Sequence, residues 1–448
     1  MLQEGSKRAC CSDGIDVNQT LQRIQTDSVP PPRADVVIIG GGIIGAATAF
    51  FLAGRGVSVT LCEKGCIAGE QSSRNLGWCR TTGRAAVEMP LMLESMRLWR
   101  QSSDLLGADT GFRQSGLLYG CAGESELQAR HSWLEVAALH GVDTRVVQGA
   151  ELERLLPGAR RRPSAAIYTQ EDGRAEPSIA APAFAAAARR LGATIVENCA
   201  VRGIDTAAGR VSGVVTERGD VACTTAVLAG GAWSRLFCGR HGIALPQLKT
   251  LGSVMRTTAI AGLPEVVSTL SSYAFSKRLD GGYTISSAFS SVADIVPDSF
   301  RLLRQFLPIL IAERKYTRLR LGRRFITECR MPRRWRTDQR SPMETCRMLD
   351  PPSVSRELEG PFRDLLEDFP DFGRTRILAR WAGYIDATPD ALPVIGAVGK
   401  LPGLVISTGY SGHGFGIGPA AGHLTADLVC GASPLVDPFP FRTERLLS

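Results

Sequence analysis

The order of apolar and polar positions near the start of the chain predicts a strand, a glycine turn, a helix and a second strand. Residues 35–39 read DVVII, a short β-branched run typical of a buried parallel strand. The run GGGIIG follows, and the small and apolar residues at 46–54 predict a helix packed on a sheet. A second apolar run at 57–62 ends at Glu63 and Lys64. This pattern predicts the first unit of an open α/β sheet.

The glycines between the first strand and the helix have the spacing GxGxxG. Gly40 allows a tight turn, Gly42 lets the backbone approach a pyrophosphate, and Gly45 lets the helix meet the strand. The helix N-terminus offers unpaired N–H groups and a partial positive charge to phosphates. Glu63 follows about twenty residues on, where a carboxylate binds a ribose 2′-OH. We therefore expect a dinucleotide without a 2′-phosphate, which leaves NAD and FAD.

Three later segments favour FAD over NAD. Residues 69–77 form a polar loop where a nicotinamide enzyme usually continues with another strand–helix unit. Residues 223–231, CTTAVLAGG, predict a strand that ends in two glycines. Residues 403–409 predict another strand, and YSGHGFG then leads into a small-residue helix. The N-terminus of that helix is suited to stabilise negative charge on a reduced flavin ring.

With these motifs the sequence resembles the FAD-dependent D-amino-acid-oxidase superfamily. That group includes glycine and sarcosine oxidases, D-amino-acid dehydrogenases and bacterial L-amino-acid deaminases. The resemblance covers residues 34–445, and its matching pieces are VVIIGGGIIGAATAFFLAGRG, EKGCIAGEQSSR, VLAGGAWS, TPDALPVIG and GLVISTGYSGHGFGIGPAAG. The segments GEQSSR, SRLF and FLPILIAERKY look most like the bacterial deaminases.

The resemblance implies an α/β fold in which a Rossmann-like FAD-binding domain is joined to a discontinuous, antiparallel-sheet substrate domain of the α+β class. It places the FAD-binding domain at 34–79, 171–244 and 376–448, and the substrate domain at 80–170 and 245–375 with a basic and apolar module at 299–345. Residues 116–120 and 282–286 predict strands of a sheet over the flavin. Residues 1–33 are expected to form a disordered N-terminal tail.

The resemblance also implies which residues hold a non-covalent FAD. The glycine turn would hold the pyrophosphate, and Glu63 the adenosine ribose. Residues 71–74 would run along the phosphates and ribityl chain, and Val201 would meet the adenine through its backbone. The full expected set is Gly40, Gly42, Ile43, Ile44, Gly45, Glu63, Lys64, Gln71, Ser72, Ser73, Arg74, Val201, Gly230, Gly231, Gly383, Gly412, His413 and Gly414.

The activity implied by the resemblance is removal of a hydride from the carbon that bears an amine. Flavin accepts the hydride, and the imine hydrolyses to a keto acid and ammonia. An arginine suits the substrate carboxylate because its guanidinium binds carboxylates in a bidentate way. Arg80 and Arg84 follow the flavin loop and are candidates, with surface salt bridges as the alternative.

Three further residues complete the candidate catalytic set of Arg80, Arg84, Trp381, Tyr384 and His413. Trp381 and Tyr384 either line the pocket or belong to the core. His413, between two glycines, is the histidine for which we expect an electrostatic or hydrogen-bonding role at the flavin edge. In the deaminases an arginine is expected after the GGYT strand, but this chain reads SSAF at 286–289. That departure weakens a direct transfer of α-amino-acid specificity.

Three other hypotheses about the function stay open. The first is an oxidase or dehydrogenase of N-methyl or cyclic secondary amino acids, such as sarcosine-like or proline-like substrates. The second is a flavoprotein subunit that works inside a larger complex. The third is a nicotinamide-dependent dehydrogenase, which predicts a colourless protein where the flavin reading predicts a yellow one.

Composition excludes several classes of protein. The chain has 448 residues, of which 44% are hydrophobic and 21% charged, as in ordinary globular proteins. Its net charge of +8 comes from arginines spread along the chain without interleaved aromatics, so we expect no nucleic-acid partner. Twelve cysteines show neither zinc nor iron–sulfur spacing, and no metal is expected. We find no signal-peptide pattern and expect a cytoplasmic enzyme with a small-molecule amino acid or amine as substrate.

The segment 306–312, FLPILIA, is apolar and lies between basic stretches. Arg301 and Arg304 precede it, and a basic run at 314–324 follows. Such an element can lie on an anionic membrane. That alternative would place the protein peripherally on the inner membrane, with a quinone or another carrier as electron acceptor. By composition we prefer a buried helix with a solvated basic end.

Overall fold

The computed structural model describes residues 20–288 and 291–446. The α-helices in chain order are Ile43–Ala53, Met89–Arg100, Ser102–Leu106, Glu124–Ala129, His131–Leu139, Gly149–Leu155, Ala180–Arg190, Ser234–Arg240, Pro297–Arg301, Leu303–Ala312, Arg323–Arg330, Pro342–Thr345, Arg356–Asp368 and Gly414–Cys430. Short 3₁₀ helices are Gln71–Ser73, Ala86–Glu88, Gly231–Trp233, Pro370–Arg374, Phe439–Phe441 and Thr443–Arg445. Within the described residues, none of the helices has the length and apolarity to cross a membrane.

The first sheet has six strands and carries the predicted glycine turn. In spatial order its strands are Val394–Ala397, Leu404–Thr408, Thr225–Leu228, Val36–Ile39, Val59–Cys62 and Thr194–Val196. All neighbouring pairs are parallel except the first, which is antiparallel. The central strand Val36–Ile39 is flanked on both sides, which agrees with its continuous apolar run.

The two faces of this sheet are covered by different layers because side chains alternate along each strand. Val36 and Ile38 pack in one core with the helices Ile43–Ala53, Ala180–Arg190 and Gly414–Cys430. Their neighbours in sequence, such as Val37 and Ile39, pack in a second core on the opposite face. That second core includes a three-stranded sheet, whose strands are Val201–Ala207, Arg210–Thr216 and Gly219–Ala222.

The large second sheet has ten strands. Nine follow one another in the order Thr317–Arg320, Ser291–Asp294, Leu248–Thr257, Tyr283–Ser287, Tyr273–Lys277, Val267–Leu270, Leu117–Cys121, Ala165–Thr169 and Thr144–Val147, while Ile377–Ala387 pairs beside Leu248–Thr257. Most pairs are antiparallel, as expected, but Ser291–Asp294 is parallel to Thr317–Arg320 and Val267–Leu270 to Leu117–Cys121. A two-stranded ribbon, Trp78–Cys79 with Gly173–Arg174, completes the strands.

The strand Ile377–Ala387 changes the expected boundary of the last FAD segment. It pairs from Leu248↔Ala387 to Thr257↔Ile377, so it belongs to the ten-stranded sheet. The segment predicted to start at residue 376 therefore begins with a strand of the substrate sheet. The reason is its long antiparallel partner, which lies more than a hundred residues earlier and gives no signal in the local sequence.

The described part of the N-terminal segment before the first strand also differs from the disordered tail that was expected there. Leu21 is buried, and Asp27 N–H donates to Ile195 O at 2.7 Å. Ile195 lies on an edge strand of the six-stranded sheet, whose backbone groups would otherwise face solvent. Asp27 therefore pairs with this edge, and residues 1–19 of the predicted tail lie outside the described residues.

The helix Leu303–Ala312, in the predicted module, is not the buried helix that we preferred. Its buried side chain is that of Phe306. Phe300 is 65% exposed, Leu303 48% and Ile311 58%. The expectation was wrong because the neighbouring elements cover one side of the helix, and the rest of its apolar surface faces outward.

Candidate active site

The predicted glycine turn packs closely against neighbouring backbone atoms. Gly40 has φ of +113°, and a Cβ there would clash with the carbonyl oxygen of Ala229. A Cβ on Gly45 would clash with the carbonyl oxygen of Gly40, so this glycine lets the helix approach the turn. The helix begins at Ile43, whose N–H donates to Ser72 Oγ at 2.9 Å. The turn thus leaves room for a ligand at a helix N-terminus.

Glu63 closes the second strand beside this turn. Its carboxylate accepts the N–H of Gly41 at 2.7 Å and the N–H of Gly65 at 2.7 Å. Burial raises the pKa of Glu63, against the lowering influence of Lys64 and of the two amides. The backbone bonds fix the carboxylate at the wall of a large cavity, next to the glycine turn.

Lys64 and Arg74 hold the polar loop in place. Lys64 Nζ donates to Glu70 Oε1 at 2.6 Å and lies 4.6 Å from the centre of the Trp233 ring. Arg74 forms an ion pair with Asp350 and donates to the carbonyl oxygen of Ala382 at 3.2 Å. Both cations are therefore neutralised by the protein, and each joins the loop to a distant segment.

Two predicted residues of this region lie behind the cavity wall. Ser73 Oγ donates to the carbonyl oxygen of Glu70 at 3.3 Å. Ser73 is not one of the described residues that line the cavity beside the glycine turn. Trp381 Nε1 donates to the carbonyl oxygen of Arg74 at 3.2 Å. Its ring packs in a small apolar cluster with Val254 and Leu76. The structure thus places Trp381 in a supporting position under the loop, and not in the pocket.

Gln71 connects the loop to the last third of the chain. Its Oε1 accepts the N–H of Asp386 at 3.3 Å, and its Nε2 lies 2.8 Å from where a Cβ of Gly231 would stand. Asp386 is fully buried and accepts the N–H of Gly409 at 2.9 Å and Gln247 Nε2 at 2.9 Å. This network draws together three segments that the expected cofactor site needs.

One continuous cavity of about 440 Å³ joins these parts. The expected cofactor residues that line it are Gly40, Gly42, Ile43, Ile44, Glu63, Lys64, Gln71, Ser72, Arg74, Val201, Gly230, Gly231, Gly383, Gly412, His413 and Gly414. Of the candidate catalytic residues, Arg80, Arg84, Tyr384 and His413 line it. The wall also contains Ser286, Ser287 and Ala288, where the expected arginine is missing.

Arg84 is a buried cation in the wall of this cavity. Its side chain donates from Nε to the carbonyl oxygen of Arg80 at 3.4 Å, and its Nη1 is buried with no hydrogen-bond partner among the described residues. Burial, followed by the like charge of Arg80, lowers the pKa of Arg84 to about 9. A buried guanidinium with a free donor is suited to bind a carboxylate.

Arg80 is held next to Arg84 by aromatic side chains and by its own loop. Its guanidinium carbon lies 5.7 Å from the centre of the Trp78 ring and 5.8 Å from that of Tyr119. Asp172, fully buried, fixes the loop by accepting Thr81 N–H at 2.7 Å and Thr82 Oγ1–H at 2.6 Å. The two arginines are therefore fixed in the wall and are not surface salt bridges.

His413 lies at the start of the long C-terminal helix Gly414–Cys430. Its Nδ1 is 3.3 Å from Oε1 of Glu88, whose side chain is 1% exposed. Burial, and then the charge of Arg84, lowers the pKa of His413 to about 4. Burial opposes ionisation of Glu88, but His413 and Arg84 outweigh it, and the pKa of Glu88 lies below its ordinary value. At neutral pH the pair is a neutral imidazole and a carboxylate.

Tyr384 joins the cavity wall to the basic module. Its hydroxyl donates to Asp294 Oδ2 at 3.3 Å, and the guanidinium of Arg324 lies 4.8 Å from its ring centre. Asp294 in turn accepts two bonds from Arg320, at 2.6 and 3.0 Å. Tyr384 therefore lines the cavity while Arg324 of the module lies over its ring, and Asp294, itself bound by Arg320 of the module, holds its hydroxyl.

A family model described as DAO, FAD dependent oxidoreductase, matches residues 35–428 of this chain. The chain belongs to this family. It is an FAD-dependent enzyme, and the DAO family comprises oxidoreductases of amino acids and related amines. The residues present fit FAD because the glycine turn, the helix N-terminus and the fixed Glu63 carboxylate form one wall of a continuous cavity.

Two solved structures are similar over almost the whole DAO fold. L-amino acid deaminase from Proteus myxofaciens has a TM-score of 0.92 at 36% identity, covering 95% of this chain and 96% of the other. L-amino acid deaminase from Proteus vulgaris has a TM-score of 0.90 at 32% identity, covering 94% and 99%. Among curated proteins, sarcosine oxidase subunit beta from Arthrobacter sp is 24% identical over 424 residues, 93% of this chain and 92% of the relative.

Three acids of the DAO site were absent from the predicted set. Glu88 holds His413, Asp172 holds the loop of the two arginines, and Asp386 holds Gln71 and Gly409. Asp386 lies just before TPDALPVIG, a piece of the resemblance, so its neighbourhood was visible. Glu88 and Asp172 belong to no recognisable sequence motif, because their partners are distant in the chain.

Proposed function

We propose that this protein oxidises the C–N bond of an amino acid with a free carboxylate, as an amino-acid deaminase or dehydrogenase does. The observation that supports this most directly is Arg84, a buried cation in the cavity wall whose Nη1 has no partner among the described residues. A buried donor without a hydrogen-bond partner is costly, and a substrate carboxylate would accept its hydrogen bond.

The reaction removes a hydride from the carbon that bears the neutral amine, and the extra proton left on the nitrogen passes to water. A C=N bond forms, water adds to it, and the keto acid and ammonia separate. Bound FAD supplies the acceptor for the hydride and its electron pair. The residues expected to hold it are those of the cavity wall, with Gly45 and Ser73 supporting them from behind.

The protein's own side chains would bind and orient the substrate. Arg84 holds the carboxylate, and Arg80 adds positive charge from its position between Trp78 and Tyr119. His413 provides a neutral ring beside the carboxylate site. Two contacts on one small molecule fix the direction of its α C–H bond, which is the main contribution a positioning site makes to the rate.

The first experiment is anaerobic bleaching of the flavin in purified protein by a panel of L-, D-, cyclic and N-methyl amino acids. We expect a yellow protein whose flavin is bleached by primary α-amino acids, with ammonia and a keto acid as products. The decarboxylated amine of each active substrate is the matched control, and it should bleach at least tenfold more slowly. A colourless protein, or bleaching that ignores the carboxylate, would contradict the proposal.

A second candidate is oxidation of N-methyl or cyclic secondary amino acids. It is supported by the absence of the arginine expected after GGYT, where Ser286, Ser287 and Ala288 line the cavity instead. The Arthrobacter relative, a sarcosine oxidase subunit, also suggests a partner subunit. Bleaching by sarcosine or proline, without release of ammonia, would favour this candidate. Co-purification with a second chain that restores activity would favour the subunit reading.

We also propose that the module contacts an anionic membrane surface, where a quinone would be the acceptor. Phe300, Leu303 and Ile311 are exposed on or beside the helix Leu303–Ala312. Exposed basic residues, Arg314, Lys315 and Arg318, follow this apolar surface. An apolar helix with adjacent cations fits the interface of an anionic bilayer.

Flotation with vesicles of phosphatidylglycerol and phosphatidylcholine tests this surface. The triple variant Arg314→Gln, Lys315→Gln, Arg318→Gln should lose at least tenfold in vesicle binding. A charge-matched control changes exposed cations elsewhere, Arg160→Gln, Arg210→Gln and Lys400→Gln, and should keep it. Equal loss in both variants, or no binding by the unchanged protein, would end the membrane proposal.

A further inference from the structure

Glu88 is a buried carboxylate that lies behind the wall of the cavity and contacts His413, which is part of that wall. It ends the short helix Ala86–Glu88, and its side chain is 1% exposed. Glu88 is not among the described residues that line the cavity, whereas His413 is. Its Oε1 lies 3.3 Å from Nδ1 of His413, 325 residues later in the chain. This imidazole is the wall group with which Glu88 makes its hydrogen bond, and the charge of Glu88 also acts on Arg84.

The chemistry of the pair determines where the imidazole carries its proton. An ionised carboxylate only accepts hydrogen bonds, so Nδ1 must be the protonated nitrogen. A neutral imidazole has one N–H, and Nε2 then carries a lone pair. The charged groups that act on His413 are Glu88, Arg84 and Arg80. Burial, followed by the two cations, opposes a second proton on the ring and keeps it neutral, against the influence of Glu88.

We propose that Glu88 is a positioning residue that holds His413 as the Nδ1–H tautomer, so that Nε2 accepts a hydrogen bond from the amine N–H of the substrate. The inference rests on the proposed function, because it places the amine next to His413 and the carboxylate next to Arg84. Accepting the N–H leaves the nitrogen lone pair free, and that lone pair forms the C=N bond as the hydride leaves. A protonated Nε2 would instead donate to the lone pair and oppose the reaction.

A substrate class follows from this tautomer. Primary and secondary amines carry an N–H for Nε2 in the reactive, neutral form, whereas tertiary amines carry none. The site therefore selects carboxylate-bearing amines with at least one N–H. An N,N-dimethyl amino acid has the same carboxylate for Arg84 and nothing to donate to His413, so it is expected to be a poor substrate.

The direct test is the tautomer of His413 in FAD-loaded protein without substrate, measured by ¹⁵N NMR of histidine-labelled samples, with His413→Gln to assign the signals. We expect a protonated Nδ1 and an unprotonated Nε2 from pH 6 to 8. Glu88→Gln replaces a carboxylate that only accepts with an amide that can also donate to Nδ1, so the tautomer ratio should shift towards Nε2–H. Glu94→Gln, which changes a partly exposed acid paired with Arg97 on the next helix, should leave it unchanged. An Nε2–H tautomer in the unchanged protein, or no shift in Glu88→Gln, overturns the inference.

Kinetics separates positioning from a structural role. Glu88→Gln should lower kcat about 10- to 100-fold while KM changes less than about threefold, since Arg84 still binds the carboxylate. Glu88→Asp keeps the charge and should recover part of kcat. A loss confined to KM, or equal activity on tertiary amines, would contradict the inference. If the NMR result holds and no amino acid bleaches the flavin, the proposed function fails while the tautomer assignment stands.

Discussion

Arg84 shows how a single residue can be unfavourable for folding and favourable for binding. Its pKa is lowered to about 9, by burial first and by Arg80 second, which means that the folded state disfavours its charge. A basic group whose folded pKa lies below its unfolded value costs its full amount of stability below about pH 9, and the cost falls away as pH rises towards the unfolded value of 12.5. Such a cost is tolerated at sites where a ligand supplies the missing partner.

We expect Arg84→Gln to lose substrate affinity without losing stability. KM should rise about 10- to 100-fold, the equivalent of about 1.5–3 kcal/mol for a lost charged hydrogen bond. The urea midpoint of unfolding should stay the same or rise, because a buried charge is removed. In the unchanged protein KM should rise above pH 9 as Arg84 deprotonates, and this limb should be absent in the variant.

The control for this prediction is Arg97→Gln, which removes an exposed helix arginine paired with Glu94. It should leave KM and its pH dependence unchanged. Steady-state kinetics over pH 7 to 10, together with urea titrations, measure both effects. An unaltered KM in Arg84→Gln would assign the carboxylate to another residue.

The contact of the C-terminal helix Gly414–Cys430 with the first helix, Ile43–Ala53, positions the phosphate end of the site. The first helix begins at the glycine turn, so its placement determines where the turn lies. Glycines let the two backbones approach closely. A Cβ on Gly422 would lie 2.5 Å from Ala47 Cβ and 2.8 Å from its backbone carbon. Neither neighbour can turn away, so the helices themselves would have to separate.

Gly422→Ala should therefore destabilise the protein and weaken its hold on FAD. Overpacking of this kind costs about 1–3 kcal/mol, which exceeds the gain of about 1 kcal/mol in helix propensity. Gly239→Ala, in the helix Ser234–Arg240 with nothing within 4 Å of the new Cβ, is the matched control and should be neutral or stabilising. Urea unfolding and FAD retention on gel filtration report the result, and equal stability of the two variants would contradict the argument.

The parts of the molecule are joined by ion pairs between segments far apart in sequence. Arg202 follows Val201 of the cavity wall and binds both oxygens of Glu344 at 2.9 Å. Glu344 also caps its own short helix by accepting Ser341 N–H at 2.8 Å. Burial opposes ionisation of Glu344, but Arg202 and Ser341 outweigh it, and its pKa is lowered to about 2.

We expect Glu344→Gln to remove a pH-dependent part of the stability. A carboxyl group whose folded pKa lies below its unfolded value stabilises above the unfolded pKa of about 4.5, and this contribution is lost as pH falls towards 2. The variant should be about 1–3 kcal/mol less stable at pH 7 and should approach the unchanged protein near pH 2–3. Asp338→Asn, at an exposed pair with Arg336, should show no measurable difference. A constant gap across pH, by urea titration, would contradict the argument.

The elements and motifs near residue 40 could be predicted because their causes are local. A β-branched run, a glycine turn and a small-residue helix adjoin one another in the chain, and the structure has the strand Val36–Ile39 and the helix Ile43–Ala53. The second strand was predicted two residues too early, and it starts at Val59. The expectation of a dinucleotide follows from the same segment, because the groups that would hold a pyrophosphate are backbone groups of consecutive residues, whereas the choice of FAD came from later segments.

The sequence alone determined the cofactor class, the family and a short set of candidates that contained Arg84 and His413. The tertiary structure decided what each candidate does. Among the described residues it leaves Nη1 of Arg84 without a hydrogen-bond partner, and it places Trp381 behind the cavity wall and exposes the helix Leu303–Ala312. It also places Glu88 beside His413, although 325 residues separate them in the chain. The burial of a side chain and the charges around it depend on the whole fold. A local sequence pattern contains no information about contacts between residues so far apart in the chain.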